Sequence, residues 1–197
     1  MVDNLDMEKN TATRILDVAQ EMVRNRGYSA FSYADISKEV GIRKASIHYH
    51  FPSKDELVKA LVKRYRDRVV RACELITRSD NSLSEQMMQF AHLYRDGLES
   101  DQICLCAMLA ADFAVLPEAV QEEIQGFFHD AETWLTTLLQ EGCDAGVWNC
   151  HPSAQQEAKG LIAMFQGAQL LARSSENRID SFEQVVYPIL NAKFSSP

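Results

Sequence analysis

Residues 27–57 read GYSAFSYADISKEVGIRKASIHYHFPSKDEL, and this stretch decides how the amino-terminal part of the chain folds. Ser32 and Asp35 stand at the spacing of a capping box, which predicts the start of a short helix. A second short helix fits residues 44–50, and a proline two residues later stops it. The glycine-containing turn at residues 41–43 joins the two, and such a turn sets two helices at roughly a right angle. The stretch therefore predicts a helix-turn-helix.

The second of these helices carries groups that suit contact with DNA. In a helix-turn-helix the second helix is exposed, and its start can enter the major groove while the first helix crosses the backbone. Basic and hydroxyl side chains at its start donate to guanine edges or phosphates, and a small alanine lets the backbone approach the bases. Two further candidates stand at other helix starts, where free amides favour a phosphate. The candidate DNA contacts are Ser32, Arg43, Lys44, Ala45, Ser46, His48, Tyr49, His50 and Lys54.

Charge is divided unevenly along the chain. Residues 1–78 carry 15 Lys and Arg against 11 Asp and Glu, whereas residues 79–197 carry 5 against 17. The net charge of −8 over all 197 residues therefore hides a basic amino-terminal end and an acidic remainder. A basic end of this kind indicates contact with a polyanion.

The rest of the chain repeats its apolar residues three or four apart, the period of a helix. No stretch alternates at period two for long enough to form a convincing strand. The sequence predicts an all-α fold of about nine helices. Besides the short helix that ends at Gly41, they cover residues 11–26, 44–50, 54–78, 82–99, 103–113, 117–142, 154–173 and 180–193.

The run GIRKASIHYHFPSKDELV at residues 41–58, with GYSAFSYADISKEV before it, resembles the amino-terminal domain of the TetR family of bacterial one-component transcription repressors. The resemblance covers about residues 11–60. It includes the Gly-Tyr pair after the first helix and the Ile-Ser…Val-Gly-Ile core of the second. It departs from the family at His48, where tyrosine is common, and at Arg43, where a small polar residue is frequent.

This resemblance implies a three-helix DNA-binding domain over residues 1–53, with residues 44–50 as its recognition helix. A larger helical domain over residues 54–197 would hold an effector pocket and a dimer interface, with residues 54–78 as a long connecting helix. Carried over to this sequence, the family pattern gives two base contacts and three phosphate contacts. The base contacts are Ala45 and His48, and the phosphate contacts are Tyr49, His50 and Lys54.

Aromatic and sulfur-containing side chains are frequent on the later helices, and they are the groups that line pockets for apolar small molecules. Most of them must form the core, because a helical domain of this size needs them. An effector bound against the connecting helix could tilt it, so that the two recognition helices of a dimer no longer span half-sites ~34 Å apart. The candidate effector contacts are Tyr65, Phe90, Tyr94, Met108, Phe127, Trp134 and Phe165.

Broad apolar faces on the last two helices predict a four-helix interface between two copies of the chain. Small residues such as Gly160 and Gly167 would let a neighbouring helix approach closely. The alternative is that these faces complete the core of the monomer itself. The candidate dimer contacts are Leu161, Phe165, Ala168, Leu171, Val185 and Ile189.

The cysteines support a second hypothesis, in which Cys104 or Cys106 senses oxidants or electrophiles as a reactive thiolate. The acidic neighbours Asp101 and Asp112 do not favour a thiolate, so hydrophobic packing is the better interpretation. Cys143 and Cys150 flank a glycine-containing loop. We expect a disulfide between them even less than a reactive thiolate at Cys104 or Cys106.

Composition and motifs exclude several classes of protein. The chain is 46% hydrophobic and 24% charged, which is typical of a folded domain. No apolar run approaches the ~18 residues of a membrane span, and the acidic start is not typical of a signal peptide, so we expect a cytoplasmic protein. No catalytic motif, cofactor loop or metal-ligand spacing occurs, and we expect no enzyme activity, cofactor or metal.

The leading hypothesis is therefore a homodimeric repressor that a small apolar or aromatic effector releases from a palindromic operator in double-stranded DNA. Two rivals stay open at this point. One is a helical scaffold or small-molecule binder whose amino-terminal domain contacts protein, and the other is an all-helical enzyme.

Overall fold

The structure, a computed structural model, describes residues 2–148 and 153–194, with side chains from residue 10 onward. Within these ranges the chain forms nine α-helices and no strand, so the predicted all-α fold is confirmed. A short 3₁₀ turn, Phe113–Val115, precedes the seventh helix. The helices are α1 (Val2–Arg26), α2 (Tyr33–Val40), α3 (Lys44–His50), α4 (Lys54–Thr77), α5 (Leu83–Glu99), α6 (Leu105–Ala110), α7 (Glu118–Asp144), α8 (Ala154–Arg173) and α9 (Arg178–Phe194).

The helix ends follow the local chemistry of the sequence. The backbone N–H and the hydroxyl of Ser32 both donate to the Asp35 carboxylate, at 2.8 and 2.7 Å, which starts α2. Ser82 and Glu85 form the same arrangement at the start of α5. Gly41 ends α2 with φ 74°, a left-handed conformation that favours glycine.

Three helices differ clearly from their predicted extents. Helix α1 begins at Val2, nine residues before its predicted start at residue 11. The predicted helix over residues 103–113 is α6 followed by the separate 3₁₀ turn. The last helix runs without interruption through Pro188, which is exposed. Burial of Phe182, Val186 and Leu190 on one face of α9 holds that helix on both sides of the proline.

The first compact unit consists of the residues up to Arg66 together with Leu105–Gln125. Helix α1 packs against α2, α3 and α6 within it. Polar contacts reinforce this packing: the Arg14 guanidinium donates to the carbonyl of Val40 at 2.8 Å, and Arg64 donates to the Asp17 carboxylate at 2.8 Å. The core is apolar and includes Ile15, Ala19, Val23, Phe31, Ile36, Ile47 and Leu57.

The second compact unit consists of Asp67–Cys104 and the chain from Gly126 onward. In it α5, α8 and α9 pack against one another in pairs. The Gln169 amide is buried among them, where it accepts from the backbone N–H of Cys104 at 2.7 Å and donates to the carbonyl of Tyr94 at 2.6 Å. At the α5–α9 contact, Arg95 donates to Glu183 at 2.6 Å.

These units do not coincide with the predicted domains over residues 1–53 and 54–197. Helix α4 is continuous across the limit between the units at residues 66 and 67, and residues 105–125 belong with the amino-terminal helices. The units record where contacts are dense, so the functional division after residue 53 stays a prediction.

Cysteine pairing differs from the expectation at one position. Cys73, Cys104 and Cys106 are free and buried, whereas Cys143 forms a disulfide. Cys150 lies outside the described residues.

No helix in the described ranges has the length and apolar character needed to cross a membrane.

Gly142, near the end of α7, gives a first testable prediction. A Cβ atom added there would overlap carbons of the Trp148 indole ring, which is buried. We expect Gly142→Ala to lower the free energy of unfolding by about 1–3 kcal/mol, the usual cost of overpacking. Urea denaturation measures this change.

The matched control removes the ring. In a Trp148→Ala background the same alanine has room, and the better helix propensity of alanine should leave Gly142→Ala neutral or slightly stabilising. An equal loss of stability in both backgrounds would contradict the packing described for this ring.

Candidate functional site

Helix α3 buries one residue and exposes most of the others. It packs against α1 and α2, and Ile47 is the side chain that it buries completely. Tyr49, next to it, is 70% exposed. Ser32, Arg43, Lys44, Ala45 and His48 are exposed as well, whereas Ser46, His50 and Lys54 are half-buried.

The start of α3 presents two cations to solvent. Arg43 is the N-cap residue and Lys44 is the first helical residue. Neither side chain forms a hydrogen bond or ion pair with a residue that the structure describes. Their charges are therefore available to an anionic partner.

A groove of about 430 Å³ lies beside α3. The amino-terminal residues of α2 form one wall of this groove, and the cations of Lys44 and Lys54 lie along it together with the His48 ring. Free amides at a helix start and nearby cations favour a phosphate. The residues around the groove are Phe31, Ser32, Tyr33, Ala34, Lys44, His48 and Lys54.

Lys54 is held by the loop between α1 and α2. Its ammonium donates to the carbonyl of Tyr28 at 2.6 Å and to that of Phe31 at 2.8 Å. The same nitrogen lies 4.4 and 4.3 Å from the centres of the Tyr28 and Phe31 rings, within cation–π range. Burial lowers the pKa of this ammonium, while Asp55 and Asp35 act in the opposite direction.

These contacts occupy two of the three N–H donors of the Lys54 ammonium. The side chain therefore positions the start of α4 against the preceding loop, a role that the sequence did not indicate. The phosphate contact assigned to Lys54 by resemblance stays a prediction, and it has one donor left to make it.

Two tyrosines complete this arrangement, and the sequence analysis missed both. The Tyr33 hydroxyl lies 2.8 Å from the carbonyl of Phe51 and 2.6 Å from that of Ser53, so it ties the segment after α3 to α2. The Tyr28 hydroxyl donates to Asp55 at 2.9 Å. One tyrosine before the first capping box and one within it were the available signal, but nothing local in the sequence identifies their hydrogen-bond partners.

Both phenols remain donors over the ordinary pH range. Burial, followed by the hydrogen bond to Asp55, raises the pKa of Tyr28 to about 12. Burial, followed by the charges of Glu56 and Asp55, raises the pKa of Tyr33 to about 12. The loop contacts that depend on these hydroxyls are therefore insensitive to pH near neutrality.

Four of the seven predicted effector contacts form one aromatic cluster in the second unit. The Phe90 ring stacks on Trp134 with centroids 4.9 Å apart, and Tyr94 stacks on Phe165 at 5.1 Å. Phe90 also meets Phe165 edge to face at 5.7 Å. The Trp134 indole N–H donates to the Thr77 hydroxyl at 2.9 Å.

The other three predicted effector contacts lie elsewhere. Phe127 is buried in the second unit, with its ring 5.3 Å from that of Phe128. Tyr65 and Met108 belong to the first unit, where the Arg24 guanidinium lies 5.9 Å from the centre of the Tyr65 ring. Helical periodicity does not reveal which apolar side chains share a cavity.

The predicted dimer contacts divide into two groups. Leu161, Phe165 and Ala168 are buried within the monomer, where α8 packs against α5 and α9. This burial favours the alternative, in which they belong to the core of the chain itself, and their contact with a second copy stays a prediction. Leu171, Val185 and Ile189 are exposed, and Leu171 is 68% exposed.

The thiol hypothesis is not supported. Cys104 and Cys106 are buried among apolar side chains, which keeps thiols away from oxidants and disfavours the thiolate. Burial raises the pKa of the third free thiol, Cys73, to about 12. In the described part of the chain, no group of three or more His, Cys, Asp or Glu residues is placed to hold a metal ion.

Comparison with known proteins gives the same picture as the geometry. A family profile described as "Bacterial regulatory proteins, tetR family" matches residues 15–61, which include α2, α3 and the loop contacts of Lys54. The crystal structure of a TetR-family transcriptional regulator from Agrobacterium tumefaciens is 33% identical in sequence, with a TM-score of 0.90, over 95% of this chain and 100% of that one.

Two curated proteins are more distant relatives. The nucleoid occlusion factor SlmA of Marinobacter nauticus is 24% identical over 65% of this chain and 66% of that protein, just under two thirds of its length. The biofilm operon icaADBC HTH-type negative transcriptional regulator IcaR of Staphylococcus aureus strain Newman is 24% identical over 90% of this chain and 96% of that protein.

A helix-turn-helix with an exposed, cationic second helix, attached to a larger helical body, defines a regulator of transcription rather than an enzyme. The chain belongs to the TetR family of bacterial transcription regulators, as its amino-terminal motif indicated.

The Lys54 contacts give a second testable prediction. Lys54→Met keeps the aliphatic chain but removes the cation from two carbonyls and two rings, so we expect the free energy of unfolding to fall by about 1–3 kcal/mol. Urea denaturation measures the fall. Lys59→Met, an exposed position on the same helix, is the control and should change stability by less than about 0.5 kcal/mol. Equal effects of the two substitutions would show that the loop contacts contribute nothing.

Proposed function

We propose that this chain is a homodimeric repressor that binds a palindromic operator through α3 and leaves it when a small apolar or aromatic effector binds. The observation that carries the proposal is the exposed face of α3, whose cations have no partner within the described protein. We place its action in the cytoplasm, where the bacterial chromosome lies.

Contact with DNA divides into two kinds. Arg43 and Lys44 at the start of α3, with Tyr49 and His50 farther along, suit phosphates and fix the helix in the groove. Ala45 and His48 suit base edges, because a helix in the major groove brings its outward side chains to the bases. Burial of Ile47 on the opposite side keeps this face turned outward.

The negative sign of regulation is supported by a relative. IcaR of Staphylococcus aureus, which aligns with 90% of this chain, is a negative transcriptional regulator. We propose that this chain is a negative regulator as well, so that its binding to DNA blocks transcription.

The class of effector follows from the aromatic cluster of Phe90, Tyr94, Trp134 and Phe165. Stacked rings on α5, α7 and α8 offer flat apolar walls to a molecule that wedges between them. A ligand that binds better to the DNA-free conformation shifts the population toward it and releases the operator.

Dimer formation is supported by an exposed apolar stripe on α8 and α9. Leu170, Leu171, Val185 and Ile189 are large apolar side chains exposed to solvent in the monomer. An added Cβ at Gly160 or Gly167 would meet no atom within 4 Å, so α8 leaves room for a neighbouring helix. Two such faces related by a twofold axis would form a four-helix interface.

DNA binding gives a third prediction. Duplexes are first selected from a random library, and the dissociation constant is then measured by fluorescence anisotropy at several salt concentrations. The slope of log affinity against log salt reports the phosphates neutralised, about 0.9 per contact. We expect Lys44→Ala to reduce the size of the slope by about 1.8, because each half of the proposed dimer loses one phosphate contact, and Tyr49→Ala to weaken binding to all duplexes.

Lys63→Ala is the charge-matched control, because Lys63 is exposed on α4 and lies outside the proposed interface. It should leave the slope unchanged. If Lys44→Ala and Lys63→Ala gave the same slope as the parent protein, α3 would not be the element that meets the phosphates.

The exposed stripe gives a fourth prediction. Leu171→Glu combined with Ile189→Glu places four carboxylates in a twofold interface, and we expect sedimentation analysis to show a monomer. Leu75→Glu is the control, because Leu75 is 69% exposed on α4, outside the stripe, and should leave the dimer intact. A dimer that survives the double substitution would exclude this interface.

A further inference from the structure

His48 is held in one orientation on the outward face of α3. Its Nδ1 atom lies 3.2 Å from the carbonyl oxygen of Pro52, just beyond the end of the helix. Its ring lies against that of Tyr33, with centroids 4.7 Å apart and planes at 56°. The Tyr33 hydroxyl is itself anchored on the carbonyls of Phe51 and Ser53. The His48 ring is therefore held by backbone carbonyls, directly through Pro52 and indirectly through Tyr33. Rotation of a side chain does not move these carbonyls.

The Pro52 contact assigns the proton on the imidazole. A carbonyl oxygen only accepts hydrogen bonds, so Nδ1 must be the donor. In a neutral imidazole the other nitrogen, Nε2, then carries a lone pair and accepts. Among the described residues Nε2 has no hydrogen-bond partner, and the side chain is exposed.

We propose that His48 is a specificity-determining residue that accepts a hydrogen bond from an exocyclic amino group in the major groove. The proposal rests on the proposed entry of α3 into that groove. Only two bases present an amino group there, adenine through N6 and cytosine through N4. Guanine presents N7 and O6 and thymine presents O4, all acceptors, so either would oppose an acceptor on the protein. His48 therefore selects an amino-bearing base at one position of each half-site.

A tyrosine at this position would behave differently, because a phenol hydroxyl both donates and accepts. An imidazole whose Nδ1–H donates to Pro52, with no proton on Nε2, only accepts at its free end. Lys44 and Lys54, the charged groups that line the same groove, are pure donors and cannot supply this preference. The acceptor at His48 is thus chemically distinct from its neighbours.

The test uses the 197-residue chain and a duplex selected from a random library, at pH 8, where histidine side chains are generally neutral. Each adenine in the half-site is replaced in turn by purine, and each cytosine by 2-pyrimidinone, so that only the amino group is lost. Dissociation constants are measured for the parent protein, His48→Ala and Tyr49→Ala. Thermal unfolding of each variant confirms folding.

We expect one amino group whose removal weakens binding about 5- to 10-fold for the parent protein and for Tyr49→Ala, but leaves binding of His48→Ala unchanged. The proposal is overturned if every amino group matters equally to the parent and to His48→Ala, or if the base lost with His48 is guanine or thymine. A protein that binds no duplex selectively would instead overturn the proposed function. That outcome is distinct, since the parent protein would then fail before any base analogue is tested.

Discussion

The proposed DNA-binding surface depends on how a helix of only seven residues is kept in place. A helix as short as α3 is not stable in water by itself, so its conformation must come from its neighbours. Ile47 supplies the apolar anchor, and two polar ties hold the segment that follows the helix. Tyr33 reaches the segment directly after α3, and Lys54 fastens the start of α4 to the loop before α2. Loss of either tie would loosen α3 without touching its outward side chains.

The side-chain cations at the start of α3 have no partner within the described protein. Tyr28, Tyr33 and Lys54 make hydrogen bonds to the segments around α3, and none of these bonds uses the side chain of Arg43 or Lys44. Cations without a partner do not stabilise the monomer. They strengthen binding to phosphates, because counterion release drives that association. The rest of the chain is acidic, so the excess of positive charge is confined to the amino-terminal end.

The sequence was sufficient to predict where the helices lie, but not which residues their side chains contact. Serine, proline and glycine mark the ends of α3 and α8, so both were predicted with their observed bounds. The carbonyls that hold Lys54 lie 26 and 23 residues before it, and a backbone acceptor leaves no mark in a sequence. Periodicity identified the apolar faces of α8 and α9. It could not show that Leu161, Phe165 and Ala168 are buried in the monomer while Leu171 remains exposed.

The most direct test places a photocrosslinker on α3. Ala45 is exposed, and the free cysteines that the structure describes are buried, so in a background with Cys143→Ser and Cys150→Ser a thiol-reactive aryl azide attached to the Ala45→Cys variant labels one site. We predict crosslinks to major-groove bases in two clusters about one helical turn, ~10 bp, apart on the selected duplex, whereas the same probe on Ala111→Cys, an exposed position after α6, gives none. Crosslinks from both positions, or from neither, would contradict the placement of α3 in the groove.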